Sequence, residues 1–143
     1  MTIHQYLTER ARTEPEYETG DLAMLTDLIS TPLLHYALGL ATEACELAAA
    51  SKASNTVNII EELGDICWFA AGACVSLGQV PDETGVAAAP KTGVYEVIGL
   101  CEEFASRVKA ALFYGSPIKK HDKREDYWTT IPAQILEIGR AHV

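Results

Sequence analysis

Residues 33–77 read LLHYALGLATEACELAAASKASNTVNIIEELGDICWFAAGACVSL, and this stretch decides the fold. Leu33, Ala37, Leu40, Ala44, Leu47 and Ala48 recur at three- and four-residue spacing, the signature of one broad apolar helix face. Ser30-Thr31-Pro32 stands before them as a capping residue followed by a proline whose fixed φ suits a first turn. The spacing predicts a helix from Pro32 to about Lys52. Ser51 to Thr56 is short and polar, so the chain turns back there. The next helix, from about Asn55 to Leu77, is apolar on nearly every side through Val57, Ile59, Ile60, Leu63, Ile66, Trp68, Phe69, Ala70 and Val75. Such a helix belongs in the middle of a bundle. Two helices joined by so short a connection make an antiparallel hairpin.

That hairpin carries paired acids. Glu43 and Glu46 are three apart on the first helix, and Glu62 and Asp65 repeat the spacing on the second, so each pair spans one turn of a common face. Glu46 precedes the turn by about as many residues as Glu62 follows it, and at about 1.5 Å of rise per residue the pairs reach roughly the same height. A lone Glu-x-x-Glu is ordinarily a solvated helix surface. Two such pairs on facing helices, bordered by Leu40, Ala44 and Leu47 on one side and Ile66, Trp68 and Phe69 on the other, repel one another and lose solvation. A hard divalent cation relieves both costs, and ligands that are all oxygen suit Mg²⁺, or Mn²⁺ in its place, better than Zn²⁺.

Outside this hairpin the chain is less explicit. A weak helical pattern through Tyr6 and Leu7 ends at Thr13-Glu14-Pro15, and Leu22, Leu25, Leu28 and Ile29 mark a second short helix from Asp21. Gly78 to Thr92 is rich in Gly, Pro and small residues and reads as a linker. A further helix is expected from about Gly93 to Tyr114, stopped by Gly115-Ser116-Pro117. His121 to Glu125 is a charged loop, and a last helix begins at Tyr127 or Pro132. GLCEEFASRV from Gly99 echoes GLATEACELA from Gly39: Gly, Leu and Glu coincide, while Ser106 stands where Glu46 stands earlier. The expected fold is all-α, an antiparallel bundle of helical hairpins in one domain over 1–143. The echo suggests a tandem pseudo-duplication, with an intact half over 1–80 and a degenerate, truncated half over 91–143.

Bulk properties bound the function. A chain of 143 residues with 48% hydrophobic and 22% charged residues is one globular domain with a real core. No apolar run reaches membrane-span length, and MTIHQYLTERARTEPEYE lacks the pattern of a secretory signal, so no membrane partner and a cytoplasmic location are expected. A net charge of −9 argues against nucleic acid as a partner, yet leaves a nucleotide held through a metal open. Cys45, Cys67, Cys74 and Cys101 lie in apolar helical runs with no Cys-x-x-Cys among them, and are expected as buried free thiols. An apolar hairpin also needs cover, which the later half and a second chain would share; a homo-oligomer, dimer or tetramer, is expected.

LLHYALGLATEACELAAA followed by VNIIEELGDICWFAA resembles the MazG-like nucleotide pyrophosphohydrolases, part of the all-α NTP pyrophosphatase group. Glu43-x-x-Glu46 and Glu62-x-x-Asp65 match that motif in order and type, and EELGD followed by an aromatic pair is its most specific part. The resemblance covers about residues 31–72. It implies that Glu43, Glu46, Glu62 and Asp65 bind Mg²⁺, which grips the triphosphate of a nucleoside triphosphate substrate, and that an activated water attacks the α-phosphorus to give a monophosphate and pyrophosphate. Glu46 or Glu61 would orient or deprotonate that water. Trp68 and Phe69 either border a base pocket or pack in the core. His35 and Tyr36 could reach a base or sugar.

Departures from the pattern are specific. Thr42 stands where a second acid often precedes the first Glu, and Cys45 where a glycine often separates the two. A segment like Lys109–Ile118 usually lies between the acid pairs, and the usual basic cluster after the second acid helix is reduced to Lys91. Phosphate contacts would then fall to Lys109, Lys119, Lys120 or Arg124, or to another subunit. The leading expectation is a house-cleaning enzyme for surplus (deoxy)nucleoside triphosphates. The competitors are a phosphoribosyl-ATP pyrophosphatase, made less favoured by the charged N-terminal region and tandem arrangement, and a helical interaction module without catalysis. Finally, EIGRAHV at Glu137–Val143 back-translates, with a stop codon, into a common sequencing-library adapter, so the natural chain is expected to continue beyond Leu136.

Overall fold

The computed structural model describes residues 31–79, 93–114 and 127–142. The short helices expected before residue 31, most of the linker and the charged loop lie outside them. Among the described residues there are four helices: α1 (Thr31–Lys52), α2 (Thr56–Ser76), α3 (Val94–Tyr114) and α4 (Tyr127–His142). No strand occurs among the described residues. The expected helices are therefore present within a residue or two of their expected ends, and the fourth begins at Tyr127 rather than Pro132, which lies inside it.

The turn between α1 and α2 explains why the hairpin is so tight. Asn55 N–H donates to the Ala50 carbonyl and Ser54 N–H to the Ser51 carbonyl, both at 3.0 Å. With Ser54 at φ 53°, this is a Schellman end in which a left-handed residue satisfies the last carbonyls of α1. The Asn55 side chain then accepts from the Asn58 N–H at 3.2 Å and caps α2. α2 ends in the same motif: Gln79 N–H reaches the Cys74 carbonyl at 2.9 Å and Gly78 N–H the Val75 carbonyl at 3.0 Å, with Gly78 at φ 68°.

The helices form a four-cornered bundle. α1 packs on α2 and α3, and α4 packs on α2 and α3, while neither diagonal pair comes within 8 Å between Cα atoms. One continuous core fills the centre. α1 supplies Leu33, Ala37, Leu40, Ala44 and Leu47; α2 supplies Leu63, Ile66, Ala70, Ala73 and Cys74. Val97, Cys101, Phe104 and Val108 come from α3, and Ile131, Ile135, Leu136 and Ile138 from α4. Each large aliphatic or aromatic side chain buried this way contributes about 1.5–3 kcal/mol. Ile138 and Gly139 are buried, and the bare backbone of Gly139 lies against the Cys67 sulfur.

Two expectations need correction. α2 is not enclosed all round: Val57, Ile60, Trp68 and Val75 are exposed, because among the described residues only α1 and α4 cover it. Nor are all four thiols buried. Cys74 and Cys101 are, Cys67 is partly so, and Cys45 is exposed, pointing away from the Ala44 side of α1. Burial pushes the Cys74 thiol up, and burial, with some help from the neighbouring Cys67, pushes Cys101 up to about 12. No helix is long and apolar enough to cross a membrane among the described residues.

Candidate metal centre

Two bare helix positions reveal the register of the hairpin. The Phe69 ring lies directly on Gly39, and the Tyr36 ring lies directly on Gly72; a Cβ at either glycine would overlap ring carbons. Tyr36, Gly39, Glu43 and Glu46 form one stripe of α1, and Glu62, Asp65, Phe69 and Gly72 form the facing stripe of α2. With Gly39 opposite Phe69, the next turn toward the Ser54 corner sets Glu43 against Asp65 and Glu62.

There three carboxylates converge. Glu43, Glu62 and Asp65 each present an oxygen such that all three lie within 4.8 Å of one another. Glu43 and Glu62 are half-buried, and Asp65 is exposed at the rim. Desolvation raises the Glu43 carboxyl above its ordinary range, a hydrogen bond to Glu62 raises it further, and the charges of Glu46, Asp65 and Glu62 add to the effect. Among the described residues no Lys or Arg forms an ion pair with this cluster; the ion pair seen joins Arg107 to Glu103 at 3.7 Å on α3.

The donor set fits a hard divalent cation: oxygen only, partly desolvated, mutually repulsive and open on the Asp65 side. Zinc is disfavoured by the lack of His or Cys ligands in the group.

The remaining expected site residues divide. Glu46 is exposed one turn from Glu43; its charge is felt there, but it is not one of the three converging carboxylates. Glu61 is exposed on α2 beside Glu62 and is likewise outside the trio. His35, Tyr36, Trp68 and Phe69 do come together, with ring centroids 5.5 Å apart for His35–Tyr36, 5.7 Å for His35–Phe69, 6.1 Å for Tyr36–Trp68 and 5.0 Å for Trp68–Phe69. Trp68 keeps 61% of its surface open, so it is not a core residue. Lys109 is exposed on α3, a helix diagonal to α2 with no Cα pair within 8 Å of it. Lys119, Lys120 and Arg124 lie outside the described residues. Gly39 and Gly72, by contrast, went unread as site elements; their one signal in the sequence was glycine in the middle of a strong helix.

A comparison with protein families matches residues 2–84 to phosphoribosyl-ATP pyrophosphohydrolase. That span exceeds half the chain and contains both acid pairs. The chain belongs to the phosphoribosyl-ATP pyrophosphohydrolase family. Searches of curated proteins and of solved structures each return no significant match. The family lies within the all-α NTP pyrophosphatase superfamily that the acid motif implies. Inside it, the match falls on the branch that the sequence argument ranked behind the MazG-like one. The matched residues end before α3, so the family's signature rests on α1, α2 and what precedes them.

Proposed function

We propose that the chain is a Mg²⁺-dependent hydrolase that releases pyrophosphate from a nucleotide carrying a triphosphate, and that phosphoribosyl-ATP is the first substrate to test. The observation that carries this is the convergence of Glu43, Glu62 and Asp65 within 4.8 Å on a hairpin of the pyrophosphohydrolase family. These three would hold the metal; Mn²⁺ would serve in its place. When bound, the cation supplies positive charge for the phosphate chain and lowers the pKa of a water at the α-phosphorus. Glu46 or Glu61, both exposed, would accept a proton from that water or orient it. The open face of Trp68, held edge-on by Phe69 and Tyr36, offers a base a stacking surface, with His35 beside it.

A second substrate class has its own support. Phosphoribosyl-ATP bears an additional phosphate beyond the triphosphate, and Lys52, Arg107, Lys109 and Arg140 are the Lys and Arg residues of the described stretches. A partly exposed aromatic cluster with no Lys or Arg seen beside it among the described residues suits an unmodified (deoxy)nucleoside triphosphate equally well, and the role would then be house-cleaning. A homo-oligomer is part of the proposal, because Val57, Ile60, Trp68 and Val75 leave an apolar stripe on α2. Pyrophosphate release with Mg²⁺ from phosphoribosyl-ATP and a panel of NTPs and dNTPs tests all of this. Release from one class that vanishes in Glu62→Gln names the substrate. Silence across the panel from a folded protein would leave a helical interaction module as the better account.

A further inference from the structure

We infer that Phe69 is a positioning residue: its ring, seated on the bare backbone of Gly39, spaces α1 from α2 so that Glu43, Glu62 and Asp65 converge. The inference rests on the metal reading above for its functional meaning, but the spacing itself does not. Gly39 lies four residues before Glu43 on α1, and Phe69 four residues after Asp65 on α2, so the contact is one turn, roughly 5.4 Å of pitch, from the acids. The ring covers Gly39 so closely that a Cβ added there would run into three ring carbons of Phe69. One level farther out the arrangement is mirrored, with the Tyr36 ring of α1 on Gly72 of α2. His35 and Trp68 close the circuit, each within 6.1 Å of two of the other rings' centroids, so neither spacer ring is free to swing away.

A glycine inside a helix costs about 0.5–1 kcal/mol relative to alanine, so two of them at facing positions are explained by the rings that need the space. Gly64 is the internal contrast. It lies between Glu62 and Asp65 on the same helix, and a Cβ there meets nothing within 4 Å. Oxygen ligands hold Mg²⁺ or Mn²⁺ within a few tenths of an ångström, whereas a methyl group at Gly39 forces the ring, and with it α2, to give way by far more. Spacing is therefore a property to which the acid cluster is sensitive and the overall fold is not.

The test compares Gly39→Ala, Gly39→Ala/Phe69→Leu and Gly64→Ala with the wild type. Mn²⁺ binding is followed by electron paramagnetic resonance, and helix content by circular dichroism. Gly39→Ala should weaken Mn²⁺ binding about 10-fold or more with helix content kept, in the range seen when the supports of metal ligands are altered. Phe69→Leu in the same chain should recover part of the loss, because a flexible side chain can yield where a flat ring cannot. Gly64→Ala should bind as the wild type does. Equal Mn²⁺ affinity in Gly39→Ala and wild type overturns the inference. Should the wild type itself bind no Mn²⁺, the metal-free amide resonances decide. Shifts at Glu43 and Asp65 in Gly39→Ala, together with an upfield Gly39 Hα in the wild type, would uphold the spacer while the metal reading fell. Unmoved amides would sink the spacer as well.

Discussion

The α1–α2 hairpin and the α3–α4 pair share a core but use acids differently. In the first, Glu43 faces two carboxylates across the hairpin and is held above the ordinary carboxylate range. In the second, Glu103, its counterpart in the echoed sequence, is paired with Arg107 on its own helix at 3.7 Å. Gly39 carries the Phe69 ring, whereas Gly99 faces open space. Leu40 is fully buried, while in α3 the inward places go to Val97, Cys101 and Phe104 and Leu100 is only partly covered. α4 offers a single acid, Glu137, where α2 offers a Glu-x-x-Asp. The difference teaches that an acid on a helix becomes a metal-ligand candidate through what stands across from it, not through its own neighbours in sequence.

If α3 and α4 serve as structural cover, damaging them should undo the whole molecule. Phe104→Ala, at a fully buried position in the common core, should cost about 3–5 kcal/mol, and chemical denaturation should show one transition rather than two. A surviving α1–α2 unit would break the view of one cooperative core. Next in size is the acid contrast. Glu62→Gln should lower pyrophosphate release about 100-fold or more, the scale of several kcal/mol of lost charge stabilisation, while Glu103→Gln should leave it within about twofold.

Metal and pH sharpen the same contrast. At about 100 times its Kd, Mg²⁺ should stabilise the fold by about 2.7 kcal/mol in a melting experiment. That gain should vanish in Asp65→Asn and persist in Glu103→Gln. Without metal, the raised Glu43 carboxyl holds its proton more tightly in the fold than in the open chain. Its contribution is therefore fully present below its ordinary value of 4.5 and is lost as pH rises through the higher folded value. Glu43→Gln should accordingly raise the Tm of the metal-free protein at neutral pH and flatten that part of its pH profile. Smallest of all, Ser54→Gly should stabilise by about 1 kcal/mol, since it relieves a left-handed non-glycine residue at a helix end where α2 already uses Gly78.

Much of this was written in the chain. The apolar spacing of Leu33 to Leu47 and the polar break at Ser51–Thr56 give the hairpin, and the hairpin gives the meeting of Glu43 with Glu62 and Asp65. Glu46 was harder to place. Three residues turn a helix by about 300°, so a spacing of three leaves a residue about 60° off its partner's line. Glu46 is exposed at that offset, whereas Glu62 and Asp65 each bring an oxygen within 4.8 Å of one on Glu43. The enclosure of α2 was misjudged because hydrophobicity reports what a helix could bury and not how many neighbours it has; Val57, Trp68 and Val75 pass any apolar test and still stand exposed. The rings on Gly39 and Gly72 depend on contacts across the hairpin, which no single-helix pattern encodes.

The Ser54 corner has a consequence for how such chains can vary. Its two hydrogen bonds fix the number of residues between α1 and α2, and thus the rotational phase of one helix against the other. Inserting a single residue there would turn every position of α2 by about 100°, carrying Glu62 and Asp65 out of reach of Glu43 while leaving composition and helix content almost untouched. Length at that corner is therefore as tightly constrained as the acids themselves, although none of its side chains touches a ligand. An insertion or deletion at Ala53, Ser54 or Asn55 would therefore separate the three carboxylates.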